Sequence, residues 1–563
     1  MLPTDTLLGR ARDQVGLHRQ TLLHASGLFK HSPMAKRTDC PSLSRDAARD
    51  AVEIPLRCHR DSHKPGTCSK LGAKCFRGRG SSFCVEARCM NMDRINELPD
   101  DVLCNIFSFL GLKDAVETSL ISHRWRHLWK PLILTRPNLE FDCANMFGAK
   151  HAQVANKFSL IESRFKRQVF IRRVHEFLRL YSGKKVDTLR VSFYLDGNHA
   201  ADLDEWILFA IEKGAQVLDL ELFNPFFGRG YPHQDYDFPH QLLQLSNSSS
   251  LKHLSLRRCV LKSLPYQFNQ LTTLELREVI LDENFIACLF SNCLLLERLT
   301  LSNFVSNCED ERRSLIITDH PRLTDLKVLY NPNSWGWGAS LEISAANLVS
   351  LEHAGYDISC INAPRLARLH LSDGFKGLAH FASCPRLESL YMLMKSAEIP
   401  QTISTFTNIR NLKQLSLILQ PGYFQLGSVV NILKATPLLE ELEIMVFSTS
   451  IHLGIDMNSG FPHSHLRSVQ IRNCHGTLYE IEFAILILKM ATKLEKMVID
   501  PLGKFYKGDG SWVVEEPYCC YDRSYELRNV DVDGVPHLWK RKVRAHIREK
   551  LKVVMTDAQV IIL

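Results

Sequence analysis

The 563-residue sequence has no run of 18 or more apolar residues, and a helix crossing a bilayer needs about 20. Its longest apolar stretch lies near Phe483–Leu488, so no membrane-spanning helix is expected. The N-terminus also lacks the apolar stretch of about 7–15 residues that a secretory signal requires. Cysteine is plentiful, at 17, but no C-x-x-C pair occurs and the count is odd. With no secretion signal, that usage points to reduced thiols in the cytoplasm, the nucleus or both. Catalytic motifs are missing too: no G-x-x-x-x-G-K-[ST], no G-x-S-x-G, no H-E-x-x-H. Gly78-x-Gly80 stands outside any strand–turn–helix setting, and Cys519-Cys520 reads as an incidental pair. No catalytic residue, metal site or cofactor is expected, and the chain reads as non-catalytic.

Charge is unevenly spread. Residues 1–90 hold 16 Lys and Arg against 8 Asp and Glu, which leaves 53 of each sign in residues 91–563. A neutral main body gives no argument for a nucleic-acid partner. The leader, residues 1–90, has no Trp or Tyr and few periodic apolar positions, so it reads as disordered. Cys58, His59, His63, Cys68, Cys75, Cys84 and Cys89 invite a zinc reading. Structural zinc usually needs close ligand pairs, and these cysteines are too far apart for that. The acidic residues weigh against a transit peptide. A natural start at Met90 or Met92 would make the leader an upstream extension.

Residues 93–130 carry the sharpest signal. Leu98 and Pro99 open a helix, because Pro gives up no needed N–H at that position. Asp100 and Asp101 suit the positive end of its dipole. Val102, Leu103, Ile106, Phe107 and Leu110 recur at helical spacing, and Gly111 stops the run. A second amphipathic segment carries Ala115, Val116, Leu120 and Ile121. Ser122 can cap a third, with Trp125, Leu128 and Trp129, which Pro131 is expected to end. Three short helices bury little core alone, so these apolar side chains are expected to face a partner. LPDDVL, SLISHRWRHLW and their spacing resemble the F-box in its plant form. Leu98, Pro99, Ile106, Leu110, Val116, Leu120, Ser122, Trp125, Leu128 and Trp129 stand at that family's signature positions. The resemblance implies docking onto the Skp-type adaptor and, through it, the cullin and RING subunits of a ubiquitin ligase.

The F-box-like segment, residues 91–131, leads into a helical connector, 132–185. Phe158–Tyr181 reads as one amphipathic helix with an apolar stripe (Phe170, Val174, Phe177, Leu178) and a basic, solvated face (Arg164, Lys166, Arg167, Arg172, Arg173). From about residue 186 the phrase L-x-x-L-x-L recurs, as in LKHLSL (251–256), LTTLEL (271–276), LKQLSL (412–417) and LEELEI (439–444), with a weaker copy at Leu348. Its spacing is that of leucine-rich repeats. The last three positions alternate apolar, polar, apolar, as in a short strand. One such strand cannot bury its apolar face, but stacked neighbours can. The expected fold is α/β: a short three-helix F-box, then an irregular leucine-rich-repeat solenoid (186–460) with a curved parallel sheet and a C-terminal cap. Residues 461–500 resemble the FBD module of plant F-box/leucine-rich-repeat proteins, at Leu466, Val469, Ile471, Gly476, Glu480, Phe483, Leu488, Ala491, Leu494, Glu495 and Met497. They read as strand, turn, helix, strand and as a cover for the last repeat. Residues 501–563 form the tail of that cap, ending in a short apolar strand, VIIL, and a cut near residue 555 is expected to cost little.

The concave strand face is expected to select a target protein. His253, Arg298, Lys327, Arg368 and His370 should project there or border it, and Trp335 and Trp337 sit in a Gly/Asn/Pro loop. The resemblance implies a substrate-recognition subunit of an SCF-type E3 ligase, leading to protein ubiquitination. A non-degradative F-box scaffold shares every sequence feature. A repeat-fold enzyme or nucleic-acid binder is opposed by the neutral body and the missing motifs. Because the leader lacks a core pattern, deleting residues 1–90 should leave thermal unfolding and adaptor binding unchanged. Stoichiometric zinc in the full chain, lost on deletion, would instead mark the leader as a metal-dependent fold.

Overall fold

The structure is a computed structural model. It describes residues 98–563 except 109, 119–122, 149–159, 223–233, 240–249, 262–265, 283, 307–314, 330–339, 355–356, 373–383, 395–408, 420–423, 426, 447–450, 453–460, 475, 501, 509–510, 516–543, 553 and 555–556. The leader therefore lies outside the described residues. The described chain divides into two units between Leu110 and Gly111. In the first, helix α1 (Asp100–Ser108) starts where the Leu103 N–H donates to the Pro99 carbonyl at 3.0 Å. Acidic Asp100 and Asp101 occupy its first turn.

The second unit starts with α2 (Leu112–Thr118) and α3 (His123–Ile133). Pro131 does not end α3, which runs on to Ile133. Pro131 sits in its last turn, and Thr135 Oγ1 donates at 2.8 Å to the Pro131 carbonyl, one of those a helix end leaves open. The unit's main body is a 15-stranded parallel sheet whose strand order follows the chain. Its strands are β1 (Asn138–Asp142), β2 (Thr188–Phe193), β3 (Val217–Leu222), β4 (His253–Arg257) and β5 (Thr273–Arg277). Then come β6 (Arg298–Ser302), β7 (Asp325–Leu329), β8 (Ser350–Ala354), β9 (Arg368–Ser372) and β10 (Ser389–Met394). The last are β11 (Gln414–Leu419), β12 (Glu441–Val446), β13 (Ser468–Arg472), β14 (Lys496–Asp500) and β15 (Gln559–Ile562). Every strand except β1 and β15 carries the recurring phrase. The leucines of each phrase align with those of the next, as Leu254 with Leu274 and Leu299, and are buried in one continuous core.

Two differences from the sequence reading concern the ends. The connector holds a strand of the sheet, β1, because Leu139 and Phe141 alternate inward as the phrase leucines do. At the other end β15 pairs with β14, Met497 lying beside Val560. The final apolar residues thus cover the sheet edge, and a cut near residue 555 would bare it. Residues 468–500 are strand, helix, strand: β13, a helix at Leu478–Met490 and β14. Thr477 and Glu480 form a reciprocal cap at that helix's start. The connector helix spans Leu160–Leu180. Phe170 stacks on Phe193 at 4.0 Å. Its basic face is not wholly solvated: Lys166 lies 5.7 Å from the Phe147 ring and Arg173 5.2 Å. No helix among the described residues is long and apolar enough to cross a membrane.

Eight strands, β5, β6, β8–β12 and β14, are led in by a tight turn. The N–H of the phrase's first leucine donates to the carbonyl three residues back, as Leu296 to Cys293 and Leu366 to Ala363, both at 3.0 Å. The side chain at that earlier position is buried, and in two further repeats it is histidine. His320 Nε2 bonds the Cys293 carbonyl of the preceding repeat at 3.1 Å. His463 Nε2 bonds the Thr436 carbonyl at 3.0 Å, while its Nδ1 accepts from the Leu466 N–H at 3.1 Å. The neutral Nε2–H tautomer alone satisfies both His463 bonds. Burial pushes both imidazoles below their ordinary value.

Where strands β4, β5, β6 and β13 end, the next residue is left-handed: Arg258 (φ 60°), Glu278 (φ 52°), Asn303 (φ 50°) and Asn473 (φ 56°). Each N–H bonds a carbonyl of the following repeat, as Glu278 to Ser302 at 2.7 Å. The corner turns the chain into a second parallel sheet that includes Cys259–Leu261, Ile280–Leu281 and Val305–Ser306.

The histidine turns make stability pH-dependent. Unfolded imidazoles take up protons near pH 6.5, whereas the folded ones stay neutral to lower pH. Acidification then favours the unfolded chain: stability should be full above about pH 6.5 and fall as pH drops from there toward the folded values. His463→Ala should cost about 1–3 kcal/mol by stranding the Thr436 carbonyl and should flatten that acid slope. Thermal melts between pH 5 and 8 check both.

Candidate functional site

Two regions hold the residues singled out from the sequence. The first is the helical segment at the start of the described chain. On α1, Leu103 and Phe107 are buried, while Pro99 is exposed and Leu98, Ile106 and Leu110 are half-buried. In the second unit, Leu128 is half-buried but Trp125 is only 6% exposed. Trp125 is thus largely enclosed by its own chain. Leu120 and Ser122 lie outside the described residues, and the side chains of Val116 and Trp129 are not described.

The chain after α3 is laced into the repeats. The Leu134 carbonyl accepts from the Ser182 and Gly183 N–H groups at 2.9 and 3.2 Å. The Pro137 carbonyl accepts from Asp187 at 2.7 Å and Thr188 at 3.2 Å. Tyr181 Oη lies 2.8 Å from the carbonyls of both Arg136 and Lys185, and Lys113 Nζ donates to the Phe147 carbonyl at 3.2 Å. These bonds tie α2 and α3 to β1, β2 and the connector helix, so residues 134–148 are a joint rather than a free linker.

The second region is the sheet face opposite the core. Its side chains alternate with the buried leucines, and the shared register sets them in rows. One row runs His253, Thr273, Arg298, Asp325, Ser350, Arg368; the next runs Glu275, Thr300, Lys327, Glu352, His370, Tyr391. All five described target-binding candidates therefore share this face. Trp335 and Trp337 lie outside the described residues. The charges here mostly engage each other. Lys327 Nζ is 3.3 Å from Glu352 and Arg368 is 3.7 Å from Asp325. His253 is 4.0 Å from Glu275, and Arg298 donates to Thr273 Oγ1 at 2.9 Å. His370 stacks on Tyr391 with ring centres 3.8 Å apart. Burial, then the Lys327 charge, push its imidazole down to about 3, so it meets any partner as a neutral aromatic.

Sequence reasoning missed an apolar cluster on this face: Tyr391, Ile418 and Met445, with Leu393 against them. The signal was present in SLYMLM, QLSLIL and ELEIMV, where alternation gives way to continuous apolar residues. Next to it Arg472 binds Glu443, Asp500 at 3.0 Å and Gln470 at 2.7 Å. One guanidinium thereby joins β12, β13 and β14. Several cysteines are buried too. Burial pushes the Cys293 thiol up to about 12 and Cys384 to about 11, which makes them poor nucleophiles. Among the described residues no group of three His, Cys, Asp or Glu could hold a metal ion.

Residues 177–529 match the At1g61320/AtMIF1 LRR domain family, and residues 95–136 match the F-box domain family. The Arabidopsis thaliana FBD-associated F-box protein At5g56370 is 27% identical over 73% of this chain and 91% of its own length. The Arabidopsis thaliana F-box/FBD/LRR-repeat protein At4g00160 is 28% identical over 51% of this chain and 57% of its own. A putative F-box/LRR-repeat protein of the same plant, At5g02700, is 24% identical over 78% and 93%.

Arg472→Ala should cost about 2–4 kcal/mol, because it leaves the half-buried Glu443 and the buried Asp500 carboxylates without their cation. Arg472→Lys should recover only part, since one ammonium cannot serve three acceptors in a fixed fork. Urea unfolding of the three proteins reads this directly.

Proposed function

The chain belongs to the plant F-box/leucine-rich-repeat proteins, and on that footing we propose that it is the substrate-recognition subunit of an SCF-type E3 ubiquitin ligase. The F-box takes the Skp-type adaptor and, through it, the cullin and RING subunits. The outer face of the repeat sheet takes the target protein. The observation that carries this reading is an F-box match at residues 95–136 directly ahead of the repeat array, with residues 134–137 hydrogen-bonded to residues 182–188, where the connector runs into that array.

The chain's contribution is non-catalytic. It holds a target beside a charged ubiquitin carrier and raises its effective concentration there, while other subunits do the bond making. The proposed place of action is the nucleus, the cytoplasm or both.

Adaptor binding is the first test. Leu98→Ala with Pro99→Ala should weaken it by about 1–2 kcal/mol, roughly ten-fold, with the melting temperature unchanged because Pro99 is exposed and Leu98 half-buried. Trp125→Ala should lower the melting temperature as well, since that ring is buried. Unchanged adaptor capture by the double variant would count against the reading. Reconstitution with cullin and RING then asks whether co-purified targets become ubiquitinated; targets held but never modified would favour the scaffold role.

A further inference from the structure

The tight turns set one side chain per repeat just before the phrase's first leucine. Ahead of β7, β9 and β10 that residue is Arg322, Arg365 and Arg386, and ahead of β11 Arg410 stands one position earlier. All four are exposed. The intervening β8 carries Asn347 there, whose Oδ1 accepts from Arg365 Nη1 at 3.1 Å. Among the described residues the side chains of Arg322, Arg386 and Arg410 have no ion pair or hydrogen bond. The stretch is bounded on both sides by exposed leucines, Leu294 ahead of β6 and Leu438 ahead of β12.

Carboxylates on the same rim are already engaged. Glu388 lies 3.3 Å from Lys413 Nζ. Asp325 accepts from Thr324 Oγ1 at 2.8 Å and faces Arg368. Asp319 accepts from the Ala346 N–H at 2.9 Å. The carboxylates named here therefore leave the charge of these arginines uncompensated on this rim. Parallel strands stand about 4.8 Å apart, so the four steps from β7 to β11 span roughly 19 Å. An extended chain of about six residues, at ~3.3 Å each, covers that length.

We propose that this arginine rim receives an extended, Asp/Glu-rich segment of the target protein; the inference rests on the repeat array being the target-binding part. Guanidinium forks pair bidentately with carboxylates and gain specificity from it. Nucleic acid is the weaker candidate, because these turns interleave no aromatic side chain on which a base would stack. The chain's own leader is not the occupant, since it carries 16 basic residues against 8 acidic ones.

The test uses the purified full chain and a fluorescein-labelled hexapeptide of alternating Asp and Glu, read by fluorescence anisotropy. The comparison protein carries Arg365→Ala, Arg386→Ala and Arg410→Ala, all at exposed positions. The expected result is saturable binding that weakens with salt and falls at least ten-fold in the triple variant, with unchanged thermal unfolding. The three Arg→Lys replacements should fall between the two. A neutral Ser/Gln hexapeptide should not bind. Lack of binding to the full chain, equal binding by the triple variant, or tighter binding of a single-stranded oligonucleotide of equal charge overturns the proposal. Adaptor capture measured on the same preparations separates the two readings. Loss of capture by the unaltered chain would sink the ligase reading and leave the rim result standing.

Discussion

No repeat of this chain can bury its own leucines. Each strand offers two or three aliphatic side chains to one side, and water is excluded only when the next strand lies beside it in register. That requirement explains why fifteen strands run parallel in chain order and why their leucines fuse into one core. It also explains the rows on the opposite face. Side chains there line up because the leucines behind them must, so the chemistry of the outer surface is ordered by the packing of the inner one. Arg298, Asp325 and Arg368 share a row for this reason.

Much of this was readable from residues alone. The spacing of Val102, Leu103, Ile106 and Phe107 marked a helix, and the phrase L-x-x-L-x-L marked all the inner strands, because both patterns record which side chains must meet. The end strands escaped for a physical reason. β1 follows a helix and a joint, so its NLEFD has no leading L-x-x, and β15 is an edge that needs only enough aliphatic surface to cover one neighbour. Histidines such as His463 hide in the turns because the slot asks only for a buried side chain, which cysteine, alanine, isoleucine and threonine also supply elsewhere, so no residue type marks it. Trp125 shows what a sequence does not record: how far its own chain encloses an aromatic ring on a short helix.

The outer face divides by how its charges are spent. Through β3–β9 cations and carboxylates are mostly matched, and around Arg472 the same holds for the last strands. Between them sits the Tyr391–Ile418–Met445 cluster. Surface chemistry left over for a partner therefore concentrates in fewer places than the number of charged residues suggests.

The left-handed corners at Arg258, Glu278, Asn303 and Asn473 separate two kinds of freedom. Up to the corner, one inserted residue would turn every following side chain of its strand to the wrong face. Beyond the corner the chain has left the ladder of the main sheet, and extra residues shift no register there. Repeats of unequal length are thus compatible with strands of equal phase. In evolutionary terms the corners act as grafting points, where a lineage can lengthen a connection and try new surface without renegotiating the core.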